Sequence, residues 1–317
     1  MRFQRTGRAL LGALALGCLL GGPALAGVDE KQADLSAEKQ ELIRATFERM
    51  LDYDYGAFIE ETCAVKAGEA EAACGDDKEC QGLSCDCMPP AEMLAYYAEK
   101  DARVFAVIAP QIQERVASKK TSAAHRERML DLLAWCGSNY EAQKLGTELF
   151  EKQPKSFTTD QVLAFAEQGL EPFSEKVESL AKKDVRAAAY MAMHGDYAAK
   201  KTLLKAVKSK SLDDGGLCDA MIASVALSKL GDEEHLAWTQ KRVKEEVLAA
   251  LDAGETERAR RIALEAEFLY EALAGKKAYG LGLSYLPRKL DFHCATRSGE
   301  VASADQVFEL IERISPI

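Results

Sequence analysis

The cysteines carry most of the chemical potential of this chain. Five of the nine fall in one stretch, CAVKAGEAEAACGDDKECQGLSCDC, as Cys63, Cys74, Cys80, Cys85 and Cys87. Cys136, Cys218 and Cys294 follow singly, and Cys18 lies near the N-terminus. Such a cluster could ligate a metal, exchange electrons or staple a loop. It contains no Cys-x2-Cys knuckle, and no histidine lies between Tyr53 and Lys120. Zinc sites usually show one of these, so a metal site is not expected. Dithiol exchange at Cys85 and Cys87 is a lesser alternative. Disulfides suit the stretch best. It is rich in glycine and acid (Gly75, Asp76, Asp77, Gly82), has few apolar anchors, and each native bridge would stabilise it by about 2–5 kcal/mol. Eight cysteines allow roughly a hundred pairings. The expected one takes the odd fifth cysteine of the cluster to Cys136 and joins Cys218 to Cys294.

The second chemical candidate is His293, which neighbours Asp291 and Cys294. If Cys294 is free, a thiol beside an imidazole could act as a nucleophile. With Tyr279, Tyr285 and Phe292, His293 could also line a small-ligand pocket. The other histidines carry less. His194 and His235 fall at helix turns, and His125 lies in the charged stretch AAHRER. Asp213-Asp214-Gly215-Gly216 lacks the further ligands of a calcium loop. Lys200, Lys201, Lys205, Lys208 and Lys210 read as a solvated helix face, because no aromatics are interleaved with them. No nucleophile elbow, phosphate loop, dinucleotide fingerprint or His-Glu-x-x-His is present. No catalytic, metal or cofactor residue is assigned, and no cofactor is expected.

The disulfide reading draws support from the N-terminus. Arg2, Arg5 and Arg8 precede a short apolar run, Ala9 to Leu20, and Gly21-Gly22-Pro23 then breaks it. Ala24 and Ala26 put small residues at −3 and −1 before Gly27. This is the layout of a secretory signal peptide cut after Ala26, and a periplasmic or extracellular protein is the place to find disulfides. Lipidation at Cys18, which would anchor the chain to the outer membrane, fits poorly, because Ala15-Leu16-Gly17 is a weak lipobox. No later stretch has the length of a transmembrane helix. Losing the three arginines of the leader takes the formal charge from −10 to −13. That argues against nucleic acid as a partner.

These groups must be held by helices. Leu42, Ile43, Phe47, Met50 and Leu51 recur at three- and four-residue spacing. Thr158 with Gln161 and Ser303 with Gln306 form capping boxes, and Pro90 suits the first turn of a helix. Residues 278–294 (AYGLGLSYLPRKLDFHC) read instead as a packed irregular arm. The expected organisation is a leader over 1–26, a flexible lead over 27–35 and an N-terminal helical region over 36–120 with a Cys-rich loop at 63–90. Helical repeats follow over 121–275, then the aromatic arm and a last helix over 276–317.

Four segments between residues 128 and 251 are alike. Each is an Ala/Leu-rich helix, a glycine and a second amphipathic helix. The glycines are Gly137, Gly169, Gly195 and Gly231. A glycine just past a helix end is the expected left-handed cap that lets the chain reverse. Ala189-Tyr190-Met191-Ala192-Met193-His194-Gly195-Asp196 and Ala226-Leu227-Ser228-Lys229-Leu230-Gly231-Asp232 resemble the helix–turn step of HEAT-like repeats. Gly137-Ser138-Asn139-Tyr140 looks as much like a tetratricopeptide repeat. The resemblance implies an all-α chain of helical hairpins stacked as a short α-solenoid, with a disulfide-stapled loop insertion. An irregular helical bundle is the alternative. It also implies a protein-binding or scaffold module, with another envelope or secreted protein as partner. A small-ligand carrier or enzyme, with a pocket between the repeats and the 278–294 arm, is the alternative function.

Overall fold

Short polar side chains start half of the described helices, taking up backbone N–H groups that the first turn leaves orphaned. Ser36, Asp101, Ser122, Asn139, Thr158 and Asp184 all cap in this way. Thr158 and Gln161 close the expected capping box, and so do Ser303 and Gln306. The computed structural model describes residues 35–53, 90–137, 139–208, 212, 215–271, 282–297 and 301–314. Among these the chain is all-α, without strands. The leader with Cys18, the five clustered cysteines, Tyr279 and the side chain of Phe292 lie outside the described residues.

Helices α1 (Ala37–Leu51), α2 (Pro90–Lys100) and α3 (Ala102–Ala117) pack on one another and on α4 (Ala123–Trp135). From α4 onward the helices pair in sequence order. α4 packs with α5 (Tyr140–Lys152) and α6 (Thr159–Glu167) with α7 (Glu171–Leu180). α8 (Val185–Met193) packs with α9 (Lys200–Val207) and α10 (Gly216–Lys229) with α11 (Glu234–Asp252). These pairs are the four segments that look alike in sequence. Each first helix also touches the next first helix, from α4 through α6, α8 and α10 to α12 (Thr256–Leu269). α13 (Leu286–Arg297) and α14 (Ala304–Ile314) both pack on α12.

The reversals rest on glycine at three of the four expected places. Gly169, Gly195 and Gly231 have φ of +80°, +83° and +85°. After each, the next N–H reaches back five residues, as from Asp196 to Met191 O at 3.0 Å and from Asp232 to Leu227 O at 3.0 Å. Gly254, at φ +77°, makes the same left-handed cap between α11 and α12, which the sequence reading did not pick out. Gly137 is different, for its φ is not positive. Beside it, Gln168 Nε2 sits 2.7 Å from where a Cβ would be.

Two other expectations change. Phe47, Met50 and Leu51 of α1 are buried as the periodicity requires, but Leu42 is 67 % exposed. Residues 286–294 of the expected irregular arm are helical, as part of α13. Pro287 lies in the first turn, where its missing N–H costs nothing, so it opens α13 rather than breaking it. Among the described residues, no helix is long and apolar enough to cross a membrane.

Candidate functional site

Asp131 sits in the middle of α4 with 4 % of its surface exposed, surrounded by Leu130, Leu132 and Leu133. A buried carboxylate is costly unless its oxygens are satisfied. Here Oδ1 accepts from Gln161 Nε2 at 2.7 Å and from the Tyr285 hydroxyl at 3.0 Å. Oδ2 accepts from Arg288 Nη1 at 2.8 Å. Nearly two turns along α6 from Gln161, Glu167 does similar work. It accepts from the backbone N–H of Leu283 (2.5 Å) and of Ser284 (3.0 Å), and from the Ser284 hydroxyl (2.6 Å). Two carboxylates on successive first helices thus hold the segment 283–288, which follows them by more than a hundred residues.

Tyr285 is the only described non-glycine residue with positive φ, at +54°. Such a conformation persists when surrounding contacts over-determine it. Its ring is buried edge-on to Trp135, with centroids 5.5 Å apart, and the Arg288 guanidinium lies 5.2 Å from its centroid. Burial, reinforced by the Asp131 charge, keeps its hydroxyl protonated well above the usual phenol range. Burial works against the charge of Arg288, but Asp131 more than compensates and raises its pKa.

Beside this hub lies a cavity of about 360 Å³. Met50 and Tyr53 wall it from the end of α1, Ala91 from α2, and Arg288 from α13. The α4 wall is Ala124, Glu127, Arg128, Asp131 and Trp135. A cavity is therefore present where α13 meets α4; of the expected lining residues, Tyr279 and the side chain of Phe292 lie outside the described residues. Tyr285 supports it from the Trp135 side without lining it, and His293 is elsewhere. Sequence reasoning passed over Arg128, Asp131, Trp135 and Arg288. The available signal was one acid inside the apolar run MLDLLAWC.

His293 Nε2 lies 3.2 Å from Glu267 Oε2, and its ring packs on Phe268. Cys294 is a free thiol, as are Cys136 and Cys218, so the expected Cys218–Cys294 bridge is not formed. The two cysteines sit on α10 and α13, each of which packs on α12. The partner expected for Cys136 lies outside the described residues. Burial, with Glu265 nearby, pushes the Cys294 thiol up to about 12, the reverse of what a nucleophile needs. Burial also pushes Cys136 and Cys218 up to about 12. A thiol whose pKa is raised by folding stabilises the native state fully below its unfolded value, near 9, and loses that contribution as pH climbs toward 12. Iodoacetamide at pH 8 is therefore expected to leave Cys136 and Cys218 unmodified in the native protein and to modify both in urea, read by peptide mapping. Rapid native labelling would show that these helices open.

Asp232, Glu234 and His235 place their ligand atoms within 4.8 Å of one another, a spacing that could receive a divalent cation. His235 Nδ1 is 2.6 Å from Asp232 Oδ1, and Lys200 Nζ is 3.2 Å from Asp232 Oδ2. The hydrogen bond to His235, then that to Lys200, holds the Asp232 carboxyl below its usual range. Through Lys200, the Asp232 carboxylate ties α9 to the start of α11. No protein-family model, curated protein or solved structure matches the chain.

Proposed function

We propose that this chain is an exported binding module that holds a small molecule in the cavity between α1, α4 and the arm. Its hairpins form a short α-solenoid of HEAT-like units, and the leader directs it out of the cytoplasm. One observation carries the reading. The cavity has apolar walls and a few converging charged groups, at the small end of the roughly 300–1,000 Å³ range of ligand pockets. Two of its wall residues, Asp131 and Arg288, are held in place by the hydrogen bonds around Asp131. The test is native mass spectrometry of protein purified from its own host, with thermal-shift screening of a diverse compound set. A bound mass or a stabilising compound, lost in an Ala91→Phe variant that fills the cavity, supports the reading. Stabilisation that survives Ala91→Phe would place the ligand elsewhere.

A scaffold role toward another envelope or secreted protein is the second reading. An open groove of about 1070 Å³ between α7, α8 and α9 favours it, with Lys182, Lys183, Lys201 and Lys205 set against Glu175 and Glu178. Crosslinking in the intact envelope, followed by repetition with these lysines replaced by glutamine, tests it. Capture that is indifferent to the substitutions would remove the groove as the contact.

A further inference from the structure

Arg128 and Arg288 are both on the cavity wall, but they are engaged very differently. Arg288 is committed. It bonds Asp131 at 2.8 Å, approaches Glu127 at 3.5 Å and covers the Tyr285 ring. Arg128 meets no carboxylate among the described residues. Its Nη1 donates to the carbonyl of Leu51 and, at 3.5 Å, to that of Met50, at the end of α1. Nε and Nη2, one whole edge of the guanidinium, have no acceptor there. Glu127 cannot serve, because adjacent positions on a helix do not face each other. It is also turned to Arg288 with 48 % of its side chain exposed, so water screens it.

A half-buried guanidinium with one open edge, set among Met50, Ala91 and Trp135, has a definite complement. A planar oxyanion matches the parallel N–H pair of that edge, and an apolar body matches the remaining walls. One open cation suits a monoanion, whereas a phosphate monoester would call for more positive charge. We propose that the cavity takes a small amphipathic carboxylate, its two oxygens on Nε and Nη2 of Arg128 and its hydrocarbon against Met50, Ala91 and Trp135. This rests on the reading of the cavity as a ligand site.

The chain has two tryptophans, so Trp238→Phe, at a 46 % exposed position, leaves Trp135 as the sole indole reporter within the site. Octanoate, octanamide and octylamine are titrated against its fluorescence. Octanoate is expected to bind at least tenfold more tightly than octanamide, and octylamine not to bind. Arg128→Gln should bring octanoate down to the level of octanamide. Arg128→Lys, which keeps the charge and a donor for the end of α1, should retain part of the preference with unchanged helical circular dichroism. Equal binding of octanoate and octanamide would overturn the ligand class and leave the cavity reading standing. Preference for octylamine would overturn it too, by showing that Glu127 and Asp131 set the field. No response to any of the three would overturn both.

Discussion

Phe165→Ala is expected to lower the unfolding free energy by about 3–5 kcal/mol, the cost of emptying a fully enclosed aromatic site. Phe165 has no exposed surface. It stacks on Phe173 with centroids 4.5 Å apart, and Phe157 meets it edge-on at 6.2 Å. Across from it Gly146 interrupts α5, and a Cβ there would come within 2.6 Å of Phe165 Cζ. The missing methyl is thus room for the ring. Alanine at 146 would gain about 1 kcal/mol of helix propensity but would overpack at a cost of about 1–3 kcal/mol, with Phe157 and Phe173 blocking retreat. Gly146→Ala should therefore destabilise the wild type and stabilise the Phe165→Ala variant. Urea unfolding of the four proteins of this cycle reads the sign directly. A stabilising Gly146→Ala in the wild-type background would show that the ring moves freely.

Asp131→Ala is expected to cost about 3 kcal/mol. Removing one member of a buried ion pair usually costs about 3–5 kcal/mol, and the lower end applies because Arg288 is 42 % exposed. The change also strands the Tyr285 hydroxyl and the Gln161 amide. Asp131→Asn should cost less, since it keeps the shape and one acceptor. With Arg288→Met in the background the loss should shrink by about 1–2 kcal/mol, because the strandable cation is gone. Independent, additive effects would mean that Asp131 and Arg288 are neighbours without being partners. The same variants report on the cavity, whose wall Arg288 would leave.

How far this could be seen from sequence depends on the range of the forces involved. Helix content, the capping boxes and the left-handed glycines 169, 195 and 231 are set within a few residues, and they were legible. Gly137 misled because a glycine that sits beside a side chain, Gln168, looks the same in one dimension as a glycine that turns the chain. Pro287 misled similarly, since proline both ends helices and opens them. Of the cavity's walls, Arg128, Asp131, Trp135 and Arg288 gave no signal that the sequence reading used. Arg128 and Arg288 look like ordinary surface arginines until α1 and the arm are folded onto α4. Among the aromatic residues of the arm that drew notice, Tyr285 braces Trp135 and Asp131.

The hold of Asp131 and Glu167 on residues 283–288 also has a consequence in time. Hairpin contacts are local and can form as soon as their own residues are available, but this clasp joins groups some 116 to 157 positions apart. A chain made from its N-terminus has long finished α4 and α6 before the clasp can close. Until residues 283–288 are available, Asp131 has Gln161 as a donor but lacks the counter-charge of Arg288, and the cavity lacks a wall. The cavity is thus among the last features to mature, and its completion marks a chain whose far end has arrived and docked.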